Sequence, residues 1–149
     1  MKHAAIILAC LLTALQSVRA AEPPPVLYVQ VVWGTNQERP AGSKSPEIGP
    51  KLSAKLSPVF RWKHYFENER YRVAYAPQKV AKVPLANKRT LEIEYLKTGE
   101  MEIRLYCNNK LVTKARQTCE TRMTILGGEE PNKDSFFVVV RADEPKVAE

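Results

Sequence analysis

Histidine is almost missing from this 149-residue chain: there are two, His3 and His64. The chain contains neither Gly-x-Ser-x-Gly nor His-Glu-x-x-His. Those motifs place a nucleophile on a tight elbow, or two histidines on one helix face around zinc. Nucleophilic hydrolysis and zinc proteolysis are therefore not expected. Glycine is also scarce, at six residues, and Gly127-Gly128 lacks the strand-to-helix context of a phosphate-binding loop, so it reads as a turn. Long apolar runs are absent after the first twenty residues. The longest, Phe136 to Val140, has five residues, against the roughly 20 that a membrane-spanning helix requires.

What the first twenty residues do contain is an export leader. Lys2 gives the positive start, Ala4 to Leu15 is apolar apart from Thr13, and Val18-Arg19-Ala20 places tolerable small residues for cleavage. Cleavage after Ala20 is expected, so the protein is expected to be secreted or periplasmic. Ile7-Leu8-Ala9-Cys10 also resembles a lipobox, which gives the alternative of a lipid anchor on Cys10. Losing Lys2 and Arg19 leaves 21 basic residues against 16 acidic ones, a net charge of +5. Outside the cytoplasm such a charge points to an envelope protein, an anionic polysaccharide or a lipid headgroup rather than to nucleic acid.

The rest of the chain follows a two-residue period. Glu22 to Pro25 completes a stiff lead-in over 21–25, and a single domain is expected over 26–142, followed by a charged flexible tail over 143–149. Val26 to Trp33 is β-branched or aromatic on both faces and reads as a central strand. Gly34 to Pro50 holds three glycines and three prolines and reads as a long loop. Ile48, Leu52 and Leu56 recur every fourth residue behind Pro50, which predicts a short helix near 50–57 capping an open end of the sheet. Phe60 to Tyr75 carries the densest aromatic cluster. Phe60, Trp62, His64 and Phe66, then Tyr71, Val73 and Tyr75, alternate with polar residues, which predicts a hairpin turning at Asn68-Glu69 with Trp62 between two sheets.

Further strands are expected at 79–83, where Pro84 marks an edge, and at 91–95, 101–107, 111–115, 123–125 and 136–140. Eight or nine short strands with regular turns predict an all-β fold, an antiparallel β-sandwich of immunoglobulin-like or jelly-roll-like kind. A β-barrel is the alternative.

Few side chains gather into chemistry. Cys107 and Cys119 remain after the leader is lost, and in an exported protein a disulfide is the default. A straight strand would hold them roughly 26 Å apart, against the limit of about 7 Å between Cα atoms, which disfavours the bond. Cys119, Met123 and His64 are ligand types of a copper site, but the second histidine is missing, so no metal or other cofactor is expected. Glu92, Glu94, Glu100 and Glu102 read as solvated strand faces. Arg61, Lys63, Tyr65 and Arg72 would share the outer face of the predicted hairpin, which makes them the candidate contact surface for an anionic partner.

These features favour a non-enzymatic exported binding or structural module of the bacterial periplasm or cell surface. The alternative is a small extracytoplasmic enzyme or a thiol or metal redox protein using Cys107, Cys119 or His64. Docking into a larger envelope assembly through an edge near Pro84, or through the proline-rich lead-in, is a third option.

Overall fold

A strand that is apolar on both faces needs cover on both sides, and the computed structural model gives Val26–Thr35 (β1) that cover. Residues 23–118, 121–130 and 132–146 are described; the leader with Cys10, and Cys119, lie outside them. After β1 come a helix, Pro50–Leu56 (α1), and seven more strands. These are His64–Ala74 (β2), Val80–Leu85 (β3), Arg89–Tyr95 (β4), Glu100–Cys107 (β5), Lys110–Thr118 (β6), Met123–Glu129 (β7) and Ser135–Arg141 (β8). They form two antiparallel four-stranded sheets, ordered β2-β1-β8-β7 and β3-β4-β5-β6. The fold is an all-β sandwich and not a closed barrel.

Leu27, Val29 and Val31 of β1, with Val138 and Val140 of β8, face Leu91, Ile93, Ile103 and Leu105 across the two sheets. The opposite faces of the same two central strands are covered as well. Val32, Phe137 and Val139 are buried under Ile48, Leu52, Leu56 and Tyr65. Helix α1 therefore lies on the outer face of the first sheet and makes a third layer, instead of capping an open end. Seven residues are too few for a stable isolated helix. Burying Ile48, Leu52 and Leu56 stabilises it by about 1.5–3 kcal/mol per side chain.

The predicted hairpin is not formed. Residues 64–74 make one strand, paired along β1 from Thr35↔His64 to Val26↔Ala74. The pairing shifts between Val31 and Val32, which face Glu69 and Glu67, so Asn68 is an extra, bulged residue. A bulge breaks the two-residue period just as a turn does, and a hairpin partner within the segment was the wrong inference from that break. Trp62 precedes the strand. It packs with Phe60 against the outer layer and not between the sheets. Its indole lies over Gly34, and Phe60 sits 4.4 Å from the Phe137 ring.

Two other expectations change. β7 continues through Gly127 and Gly128, which pair with Phe137 and Phe136. A Cβ on Gly128 would stand 2.4 Å from the Phe136 ring, so this glycine makes room for an aromatic across the ladder and does not turn the chain. The start of the expected tail touches the sheet: Pro145 is buried and its carbonyl accepts from Arg70 Nη1 at 2.7 Å, while 147–149 lie outside the described residues. β3 with Pro84 is an edge strand, as its sequence implies.

The outer face of the second sheet is a charge ladder. Lys82 reaches Glu92 at 2.8 Å, Arg104 reaches Glu94 at 2.8 Å and Glu102 at 2.9 Å, and Arg116 reaches Glu102 at 2.8 Å. Hydrogen bonds from Lys82 and Arg116 hold the Glu92 and Glu102 carboxyls below the usual range.

A methyl on Gly34 would meet Trp62 at 2.6 Å and Phe137 at 2.9 Å, so Gly34→Ala should lower the stability measured by urea unfolding by about 1–3 kcal/mol. Gly49 has open space at that position and precedes Pro50 without a side-chain cap; Gly49→Ser should hold or gain a few tenths of a kcal/mol, roughly. For the ladder, the folded carboxyl pKa values lie below the unfolded value of 4.5, so its stabilisation is complete above that pH and is lost as pH falls through the folded values. Thermal unfolding should therefore show Tm dropping on acidification below pH 4.5, with a shallower drop in Glu92→Gln/Glu102→Gln.

Candidate binding site at the turn-bearing end

Three tight connections meet at one end of the sandwich. β8 begins at Ser135, opposite Gly34 near the end of β1, so the β7–β8 turn lies there. Arg89, the first residue of β4, reaches Glu130 and stacks 3.8 Å over the Phe136 ring, which brings the β3–β4 turn alongside. Asn108 N–H donates to the Lys88 carbonyl at 2.9 Å, adding the β5–β6 turn. Asn87 and Lys88 have φ of 57° and 56°, and Asn108 and Asn109 have 49° and 62°. Two successive positive φ values make the primed hairpin turn, which asparagine tolerates well. The β5–β6 turn is thus two residues long, and Cys107 faces Lys110 rather than Leu111.

The first sheet extends beyond the second at this end. Ala86 N–H donates to Glu69 Oε2 at 3.0 Å, and Glu69 pairs with Val31, so the β3–β4 turn meets the first sheet at the level of Val31. Trp33 points to the same side two residues further on, past that turn. Its ring is 5.9 Å from Phe66, and Phe66 stacks on His64 at 6.0 Å with an interplanar angle of 15°. Phe66 is itself buried, so it backs an aromatic shelf whose ring on the cleft side is Trp33.

Asp134 fixes the indole. Its Oδ2 accepts from Trp33 Nε1 at 3.1 Å and Asn132 Nδ2 at 2.7 Å, and its Oδ1 accepts from Thr35 Oγ1 at 2.9 Å. Asp134 is 5% exposed and Thr35 fully buried. Buried polar groups of this kind are tolerated because every one has a partner. In front of the shelf lies an open cleft of about 430 Å³, lined by Trp33, Ser45, Asn68, Asn87, Glu130 and Asn132. Glu130 is the single charged group in that lining, and Arg89 is paired with it.

The candidate contact residues named from the sequence do not assemble. Tyr65 is 3% exposed, its hydroxyl donates to the Phe60 carbonyl at 2.7 Å, and burial pushes its phenol pKa up. It belongs to the outer core and cannot serve as a surface aromatic. Arg61 and Lys63 are exposed just before β2, with Lys63 N–H donating to Asn36 Oδ1 at 3.2 Å. Arg72 is exposed opposite Tyr28, roughly 26 Å further along β2. The error came from the hairpin, which had folded residues from the two ends of one strand onto a single face. From the sequence, Asn108-Asn109-Lys110 between two alternating runs reads as a three-residue turn, one residue longer than the turn formed. The sequence carried no sign that Trp33, Asn68, Asn87 and Asn132 share a cleft, because that depends on which turns lie at which end.

Comparison with protein-family models, with curated proteins and with solved structures gives no match for this chain. The functional reading therefore rests on geometry.

The thiol and metal alternatives gain no support from that geometry. Cys107 is free and half-buried on the second sheet, between Arg89 and Lys110. β6 keeps its pairing through Gln117 and Thr118, so the sharp bend that a Cys107–Cys119 bond would need near Gln117 is not made. His64 pairs with Thr35, whereas Met123 pairs with Arg141, itself opposite Tyr28; the length of β1 separates the two. Among the described residues no three His, Cys, Asp or Glu side chains converge on a metal position.

A second groove, of about 190 Å³, runs between the start of α1 and residues 143–146. Its buried polar groups are matched among themselves: Gln30 Nε2 donates to Glu67, Arg141 Nη1 reaches Gln30 Oε1 at 3.4 Å, and Arg70 donates to both Glu67 oxygens. This network seals the tail to the sheet.

Asp134→Ala would strand three donors at once, of which Thr35 Oγ1 is fully buried. It should lower unfolding stability by about 2–3 kcal/mol and, in a Trp62→Phe background, broaden the Trp33 fluorescence, with Asp134→Asn showing a smaller loss.

Proposed function

We propose that this chain is an exported, non-enzymatic β-sandwich module of the bacterial cell envelope that binds its partner through the turn-bearing end. The observation that carries this reading is Trp33, held rigidly by Asp134 on a shelf past the end of the second sheet and lining an open cleft. Binding residues set on short turns at one end of a rigid sandwich keep their positions without costing the core any packing. Export is supported by the charged, apolar and small-residue order of the first twenty residues. A non-enzymatic role is supported by the single histidine beyond the leader, which leaves few candidates for a general base near neutral pH.

Retention on a cell-envelope fraction from the organism of origin tests the reading. The chain beginning at Ala21 should sediment with that fraction. Ser45→Ala/Asn68→Ala/Asn87→Gly should cut retention about tenfold, whereas Arg72→Ala, at the far end of β2, should leave it unchanged. Full retention by the triple variant, or loss with Arg72→Ala alone, would contradict the assignment.

A further inference from the structure

Within the reading that this end is the contact site, the lining of the cleft narrows the ligand further. Three asparagine amides and a serine hydroxyl supply donors and acceptors, and the one carboxylate is already matched by Arg89. A polyanion would find no unmatched cation among the lining residues, and an apolar ligand would leave the amides unpaired. A neutral, hydroxyl-rich ligand suits both features.

The aromatic shelf points the same way. The Trp33 N–H donates to Asp134 Oδ2, which fixes the orientation of a half-buried ring that lines the cleft. The weakly positive C–H faces of a sugar ring pack against such a surface while the hydroxyls project to the rim. Asn68 is bulged out of β2 and Asn87 sits in a primed turn, so both amides stand clear of the β-ladder. The Asn132 amide, by contrast, is already engaged on both sides with Asp134.

We propose that the ligand of this cleft is a neutral glycan, one sugar ring lying on Trp33 and its hydroxyls held by Asn68, Asn87 and Ser45. Glu130 forms part of the cleft wall and is held there by Arg89 behind it. The cleft volume of about 430 Å³ falls within the roughly 300–1,000 Å³ typical of small-ligand sites.

Trp33 and Trp62 are the two tryptophans, so Trp62→Phe leaves Trp33 as the sole indole reporter. The chain beginning at Ala21 is titrated with three neutral probes, β-1,4- and α-1,4-linked glucose tetrasaccharides and the β-1,4-linked N-acetylglucosamine tetrasaccharide, and with polygalacturonate as an anionic control. Isothermal calorimetry on the protein with Trp62 intact runs in parallel. At least one probe should give a saturable fluorescence change with Kd of about 1 mM or tighter. Asn87→Gly, which keeps the positive-φ turn and removes only the amide, should weaken that binding about tenfold, and Asn68→Ala similarly.

No saturation with any of the three by either method would overturn the proposal. So would binding that is indifferent to Asn68 and Asn87, or binding only to polygalacturonate that disappears with added salt. Envelope retention that depends on this end, with no oligosaccharide binding, would sink the glycan and leave the contact site standing. Oligosaccharide binding sensitive to Asn87→Gly, alongside retention indifferent to this end, would do the reverse.

Discussion

Strands β1 and β8 have no wet face, and the rest of the molecule answers that constraint. Leu27, Val29 and Val31 demand a second sheet on one side. Val32, Phe137 and Val139 demand cover on the other, and they obtain it from α1, Ile48, Tyr65 and the aromatic residues before β2. The long connection between β1 and β2 is therefore a structural layer, and Gly34 is its tightest point because the indole of Trp62 rests on it. With both faces occupied, β1 and β8 can carry side chains past the edge of the second sheet without the strands fraying. That is what places Trp33 where it is.

Rigidity at the turn-bearing end has two sources. Asp134 ties the β7–β8 turn to β1 through Trp33 and Thr35, and Arg89 ties β4 to Glu130 across the sheets while lying on Phe136. Gly128 makes this possible by leaving room for the Phe136 ring directly across the ladder. The far face of the second sheet follows a different logic. Its ladder of Lys82, Glu92, Arg104, Glu94, Glu102 and Arg116 is matched charge to charge, which keeps it wet and leaves little unbalanced field for a partner. The proposed contact end and the matched charge ladder thus occupy different parts of the sandwich.

Much of the architecture was legible in the sequence. Alternation located the strands, the two-sided apolar pattern marked β1 as central, Pro84 marked an edge, and the fourfold spacing behind Pro50 located α1. What escaped was non-local. Asn68 disturbs the alternation in a way that fits either a turn or a bulge, and only the pairing with β1 decides between them. Gly127-Gly128 looks like a stop until Phe136 and Phe137 are seen opposite. Tyr65 alternates as a polar-face residue should, yet that face is covered by a layer contributed from elsewhere in the chain. The same limit hid the cleft, whose lining residues are separated by up to a hundred positions in sequence and are gathered by sheet order alone.

The shelf exists only if β2 is a single strand lying along β1. Backbone NOEs on the protein beginning at Ala21 test this most directly. The account predicts cross-strand contacts of Trp33 with Phe66 and of Val29 with Tyr71, and none between Phe66 and Tyr71 as hairpin partners. Hairpin contacts between Phe66 and Tyr71, without those to β1, would contradict it and remove the platform under Trp33.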